Sequence, residues 1–223
     1  MRTGTLVASV SAMAFALAAF AQAPDPSANE VAARLQAHYE KVRDFSARFT
    51  HVYEGGVLGR KVTERGTVLV KKPGRMRWTY TSPERKEFVA DGLKIYSYIP
   101  EDKQVIVSRM PGEGEAATPA LFLAGKGNLL RDFEASFTRV PRAPAGTWAL
   151  RLVPKHREPE YDWLALVVDK QTLAIQMLVS ADSQGGESTF VFEDMKENVG
   201  LSDKQFDFTI PRGVQVVTDQ SKR

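Results

Sequence analysis

The chain has 223 residues, 30 basic and 27 acidic side chains for a formal net charge of +3, and no cysteine. That length suits one domain with a real buried core. The absent cysteine excludes a disulfide framework, a thiol nucleophile, a zinc–cysteine site and a lipidated cysteine, and charge of both signs without a clustered basic stripe gives no footprint for nucleic acid.

Residues 1–23 read as an export signal. Arg2 supplies a positive start, Leu6 to Phe20 is an uncharged apolar run, and Ala21-Gln22-Ala23 is a small-residue cleavage site. The run falls short of the ~20 apolar residues a comfortable span needs, which favours cleavage after Ala23 over a retained anchor. Residues 24–223 are then expected to form one domain, exported as a soluble monomer.

Ser27 or Asn29 caps the next element. Val31, Leu35, His38/Tyr39 and Val42 recur at helical spacing, so 29–43 is expected to be an amphipathic helix. It is either a helix packed on a sheet or a lid over an apolar cavity. From Phe45 the period becomes two: Phe45, Ala47, Phe49, His51 and Tyr53 share one face. Strands follow at 60–72 and 75–82, broken at Pro73-Gly74. In the second of these Met76, Trp78 and Tyr80 face one way and Arg75, Arg77 and Thr79 the other. Asp91-Gly92 marks a hairpin between 87–90 and 93–99, and 104–110 is the next strand. Thr118-Pro119 caps and opens a short helix carrying Leu121, Phe122 and Leu123, stopped by Gly125-Lys-Gly127. A further short turn is expected near 128–132. Strands are expected at 133–140, 147–154, 161–168, 172–180 and 188–196, then a helical turn at 201–205 and an extended ending.

About ten antiparallel strands and two helical insertions predict a mainly β fold with an α-helical lid: one strongly curved antiparallel sheet, an incomplete (unclosed) or full barrel, covered by short helices. His38, His51 and His156 are scattered and read as surface or half-buried. Nucleophile elbow, P-loop and dinucleotide fingerprint are absent, so no cofactor and no catalytic residue is expected.

Several segments, in order, resemble the periplasmic outer-membrane lipoprotein carrier family (LolA). They are Val42-Arg-Asp-Phe-Ser-Ala-Arg-Phe-Thr50, then Lys71-Lys-Pro-Gly-Arg-Met-Arg-Trp-Thr-Tyr-Thr-Ser-Pro83, Val89-Ala-Asp-Gly-Leu-Lys-Ile-Tyr-Ser-Tyr-Ile-Pro100, Thr118-Pro119 with its apolar run, and Phe206-x-Phe-x-x-Pro-x-Gly-Val214. The resemblance implies a carrier, not an enzyme. It binds the acyl chains of lipoproteins released by an inner-membrane ATP-driven complex and delivers them to an outer-membrane lipoprotein receptor. It also implies that Trp78, Leu121, Phe122 and Leu123 line the acyl cavity; Leu35, on the apolar stripe of the first helix, is expected to face the same cavity. Met76 matches a family aromatic that governs cargo handling. Lys72 matches a family arginine that latches the lid, and lysine lacks arginine's planar fork of donors. A related lipid-binding protein, or a lipid hydrolase using the same cavity, is the alternative reading.

Overall fold

In a computed structural model, residues 25–55, 59–112, 123–125 and 127–218 are described. The expected signal segment, Thr118, Pro119, Leu121 and Phe122 lie outside these residues. Helix α1 is Ala28–Lys41 and opens on a reciprocal cap. The Ser27 amide donates to Glu30 Oε2 at 2.7 Å, and the Glu30 amide donates back to Ser27 Oγ at 3.3 Å. Its buried side carries Val31, Ala32 and Leu35.

Six strands follow: β1 Asp44–Gly55, β2 Arg60–Lys71, β3 Arg75–Ser82, β4 Lys86–Asp91, β5 Lys94–Ile99 and β6 Gln104–Arg109. After the single turn α2, Leu129–Asp132, come β7 Phe133–Phe137, β8 Thr147–Pro154, β9 Trp163–Asp169, β10 Ile175–Ala181 and β11 Glu187–Glu197. A 3-10 turn at Asp203–Phe206 precedes β12, Gln215–Thr218. All twelve belong to one sheet, in the order β12-β6-β5-β4-β3-β2-β1-β11-β10-β9-β8-β7. Its ends, β12 and β7, do not pair with each other, so the barrel is unclosed among the described residues. Every pairing is antiparallel except β12 on β6, which is parallel. The sequence pointed to an antiparallel sheet throughout. The difference arises because the chain after β11 crosses the sheet before returning to its far edge. Phe206 anchors that crossing, fully buried, and Arg77 donates to the carbonyls of Gln205 and Asp207, each at 2.6 Å.

The sheet curls around one core. Trp78 of β3 and Leu150 of β8 lie six steps apart in strand order yet belong to the same buried cluster. In a flat sheet that separation is about 29 Å, six spacings of ~4.8 Å. The cluster also contains Val31, Leu35 and Leu123, so α1 and the segment 123–125 sit inside the curl.

Candidate functional site

The alternation seen in sequence puts the large apolar side chains on the concave face. The ladder registers arrange them in rows across β1, β2, β3 and β4. The first row is Phe45, Val70, Met76, Ala90, and the second Ala47, Val68, Trp78, Phe88. The third is Phe49, Gly66, Tyr80 and Lys86, with Phe192 of β11 beside Phe49. Gly66 is required in this row. A Cβ there would stand 2.1 Å from the Thr79 carbonyl and 2.8 Å from the Phe49 ring, so the ring lies over bare backbone. Phe49 in turn meets Trp78 and Tyr80 edge-on, at centroid distances of 5.1 and 4.8 Å. Trp78 and Met76 are 3% and 4% exposed, and Trp78 Nε1 donates to Met76 Sδ at 3.3 Å. The face is filled by side chains.

At one end of the face polar contacts tie the β2–β3 turn to α1 and to the segment 123–125. Lys72, the first residue of the β2–β3 turn, donates through Nζ to the Tyr39 carbonyl at the end of α1, and its ammonium lies 4.0 Å from the centre of the Tyr39 ring. A cation is favourable at a helix C-terminus, and over an aromatic face. The Tyr39 hydroxyl donates to the Leu123 carbonyl. Burial, with Glu197 nearby, pushes that hydroxyl well above the usual tyrosine range, so it stays a donor. The Gly74 amide donates to the Ala124 carbonyl at 2.9 Å. Gly125 closes the contact at φ +83°, where a Cβ would stand 2.7 Å from Lys72 Cδ. Leu123 is fully buried beneath these bonds. An open cleft of about 330 Å³ lies alongside, lined among others by Gln36, Tyr39, Glu40, Lys72 and Gly125. Burial also lowers the Lys72 pKa, against the pull of Glu40 and Glu197.

The opposite end carries an ionic cluster. Glu64, 9% exposed, accepts from Lys86 Nζ at 2.6 Å and from His51 Nδ1 at 3.0 Å. With Nδ1–H so used, His51 Nε2 accepts from the Ser188 hydroxyl at 3.3 Å. The imidazole lies flat on Phe190, centroids 4.1 Å apart at 2°, and Lys86 covers the Tyr80 ring at 4.5 Å. Burial lowers the His51 pKa, and Glu64 only partly opposes it. The series Ser188–His51–Glu64 has the connectivity of a nucleophile, base and acid. Lys86, however, already neutralises the carboxylate, and burial disfavours the imidazolium that such a relay must form.

Of the residues singled out from sequence, Leu35, Met76, Trp78 and Leu123 come together in one buried cluster, and Lys72 lies beside it, over Tyr39. Leu121 and Phe122 lie outside the described residues. Sequence reasoning missed Tyr39 as the link between Lys72 and residue 123. It also missed the partners of His51, since Glu64, Lys86 and Ser188 meet it only through the strand register.

The family model for the outer membrane lipoprotein carrier protein LolA matches residues 40–209. An outer-membrane lipoprotein carrier protein of Methylobacillus flagellatus is 30% identical over 184 residues, covering 82% of this chain and 86% of that protein. The carrier protein of Methylococcus capsulatus is 29% identical over 188 residues, 84% of this chain and 87% of its own length. Among solved structures, an uncharacterized conserved protein from Thermus thermophilus shares the fold at a TM-score of 0.52. It is 15% identical, with 86% of this chain and 98% of that one covered. The family match runs from the end of α1, through β1 to β11, to the crossing anchored by Phe206, and this chain belongs to the LolA family of outer-membrane lipoprotein carriers.

Proposed function

We propose that the protein is a periplasmic carrier that takes up the acyl chains of lipoproteins released from the inner membrane and delivers the lipoproteins to an outer-membrane receptor. An ATP-driven inner-membrane complex is the proposed donor. Residues 1–23 are the proposed export signal, cut after Ala23, and 24–223 the single working domain. The observation that carries the reading is the roof over the concave face. An apolar face rich in aromatics is covered by one helix and a short segment, and the polar bonds that hold this roof converge on Tyr39, Lys72 and Gly74.

Such a roof suits a carrier. Burying one CH₂ gains ~0.8 kcal/mol, so free acyl chains do not cross water unaided at useful concentration. Closure over the empty face replaces acyl chains by Leu35 and Leu123, so the empty and loaded states differ by few contacts. A partner at either membrane then tips the balance. Met76, Trp78, Leu35, Leu121, Phe122 and Leu123 are the proposed acyl contacts, and Lys72 the proposed latch.

The test follows a labelled lipoprotein from inner-membrane vesicles into the soluble fraction and then onto outer-membrane vesicles. Wild-type protein is expected to support both steps. Leu123→Glu, which sets an unpaired charge against the apolar face, is expected to abolish uptake while the fold survives. Lys72→Leu is expected to alter release more than uptake. A wild-type protein that leaves the lipoprotein on the inner-membrane vesicles overturns the proposal.

A further inference from the structure

The rows of the concave face change in character along its length. From the latch end the first two are wholly apolar, Phe45-Val70-Met76-Ala90 and then Ala47-Val68-Trp78-Phe88. The third ends in Tyr80 and Lys86, and the fourth pairs His51 with Glu64. From Phe45 to His51 is six residues of β1, or about 20 Å of extended strand. The apolar tract therefore has a definite length and a charged end.

Two roles suit charge at the end of an apolar groove: holding a polar head group, or halting a tail. The bonding within the cluster decides between them. Both carboxylate oxygens of Glu64 are taken, by Lys86 and by His51. Both ring nitrogens of His51 are taken, by Glu64 and Ser188. The Lys86 ammonium also lies over the rings of Tyr80 and Phe88, at 4.5 and 5.9 Å. Groups bonded to one another in this way offer little to a head group. To a hydrocarbon they offer a surface it cannot replace, because a methylene driven among them breaks charged hydrogen bonds and returns none. The latch, where the roof opens, is at the other end.

We propose that His51, Glu64 and Lys86 form a polar stop that sets the longest saturated acyl chain the groove accepts. The proposal rests on the carrier reading and deepens it. Chains enter at the Tyr39–Lys72 end and extend past Met76 and Trp78, displacing the side chains that fill the closed face. Their methyl ends halt at the third row, beside Tyr80, against the row in which His51 pairs with Glu64 and Phe190.

The probe is a set of synthetic acylated cysteine peptides, one saturated chain each, lengthened two carbons at a time. Binding to the full mature chain is measured by displacement of an apolar fluorescent dye. Affinity is expected to rise about fourfold for each added CH₂, the equivalent of ~0.8 kcal/mol, and then to level off at one chain length. The triple variant His51→Phe, Glu64→Leu, Lys86→Met keeps an aromatic ring against Phe190 and removes all the charge together. In it the levelling is expected to move to longer chains. Should the variant fail to fold, wild-type protein still decides. A photoreactive group on the terminal carbon of the longest chain before the plateau is expected to label peptides containing Tyr80, Phe88 or Phe190. An uninterrupted rise, an unmoved plateau in a folded variant, or labelling confined to Phe45, Val70 and Met76 overturns the stop while leaving the carrier intact. Failure to bind a peptide of any length overturns the carrier reading and the stop with it.

Discussion

At the latch end of the concave face three backbone carbonyls are satisfied by two side chains and one glycine amide. At the other end a carboxylate, an ammonium, an imidazole and a hydroxyl satisfy one another. The two ends use similar numbers of hydrogen bonds to opposite effect. On the proposed opening, bonds to carbonyls of the roof would be remade with water, so each is worth little net and closure would stay reversible. At the other end the side chains are largely withdrawn from water, Glu64 at 11%, His51 at 14% and Lys86 at 23% exposure, so that exchange is more restricted. Removing one partner strands the others, so that end is rigid. A face that opened at one end and stayed fixed at the other would have the division the proposed carrier needs.

The largest way to break this contrast is to strip a single charge from the rigid end. Glu64→Leu leaves Lys86 and His51 without their acceptor, and a loss of about 3 kcal/mol in unfolding free energy is expected. Adding Lys86→Met is expected to restore most of that loss, because the cost lies in the stranded charge and not in the missing pair. Urea unfolding of the two variants checks both statements. If the double variant is as unstable as the single one, the end is held by something other than mutual satisfaction of charge.

A smaller effect is expected at the latch. Gly125 has φ +83°, and a Cβ there meets the Lys72 stem. Gly125→Ala therefore strains only the closed roof, by roughly 1–2 kcal/mol. Apolar dye binding is expected to increase while urea unfolding of the sheet is almost unchanged. Tyr39→Phe is gentler still. It keeps the ring under Lys72 and deletes the hydroxyl bond to Leu123, a net loss of about 1 kcal/mol and about a fivefold rise in the open population. Amide exchange in segment 123–125 reads this directly. Exchange unchanged in Tyr39→Phe would mean that the hydroxyl does not hold the roof.

The two ends are not equally legible in the sequence. Alternation in Phe45-Ser-Ala-Arg-Phe49 and in Met76-Arg-Trp-Thr-Tyr80 announces strands with one apolar face, and periodicity in 29–43 announces the helix above them, because those signals are local. Lys72 stands out through family resemblance. Its real partner does not, since Tyr39 lies on a helix face where an aromatic reads as core. The ionic end is illegible. His51, Glu64, Lys86 and Ser188 lie on four strands, joined by a register that no single segment encodes. His51 reads as a half-buried histidine, and so it is, but its partners are what matter. Likewise β12 reads as an extended tail, and only the long crossing behind the sheet makes it a parallel edge strand.

The smallest expected effect is one of pH, and it separates the ends because His51 belongs to the rigid one. Burial lowers the His51 pKa below the ordinary value of 6.5, with Lys86 adding to the depression and Glu64 opposing it. A base whose pKa is depressed by folding binds fewer protons folded than unfolded. Stability therefore rises with pH across the interval between the two values. The stabilisation is complete above about pH 6.5 and is lost as pH falls from there toward the folded-state value. Because Glu64 favours the charged ring while burial disfavours it, the two influences partly cancel and the slope is shallow. The histidine nearest the latch, His38, bonds Glu197 at 3.1 Å and is altered by neither substitution used here. His51→Phe is expected to flatten that part of the unfolding profile, and Tyr39→Phe to leave it untouched. A profile that steepens in Tyr39→Phe, or a His51→Phe variant with the wild-type slope, would place the titration elsewhere in the molecule and remove the electrostatic distinction between the ends.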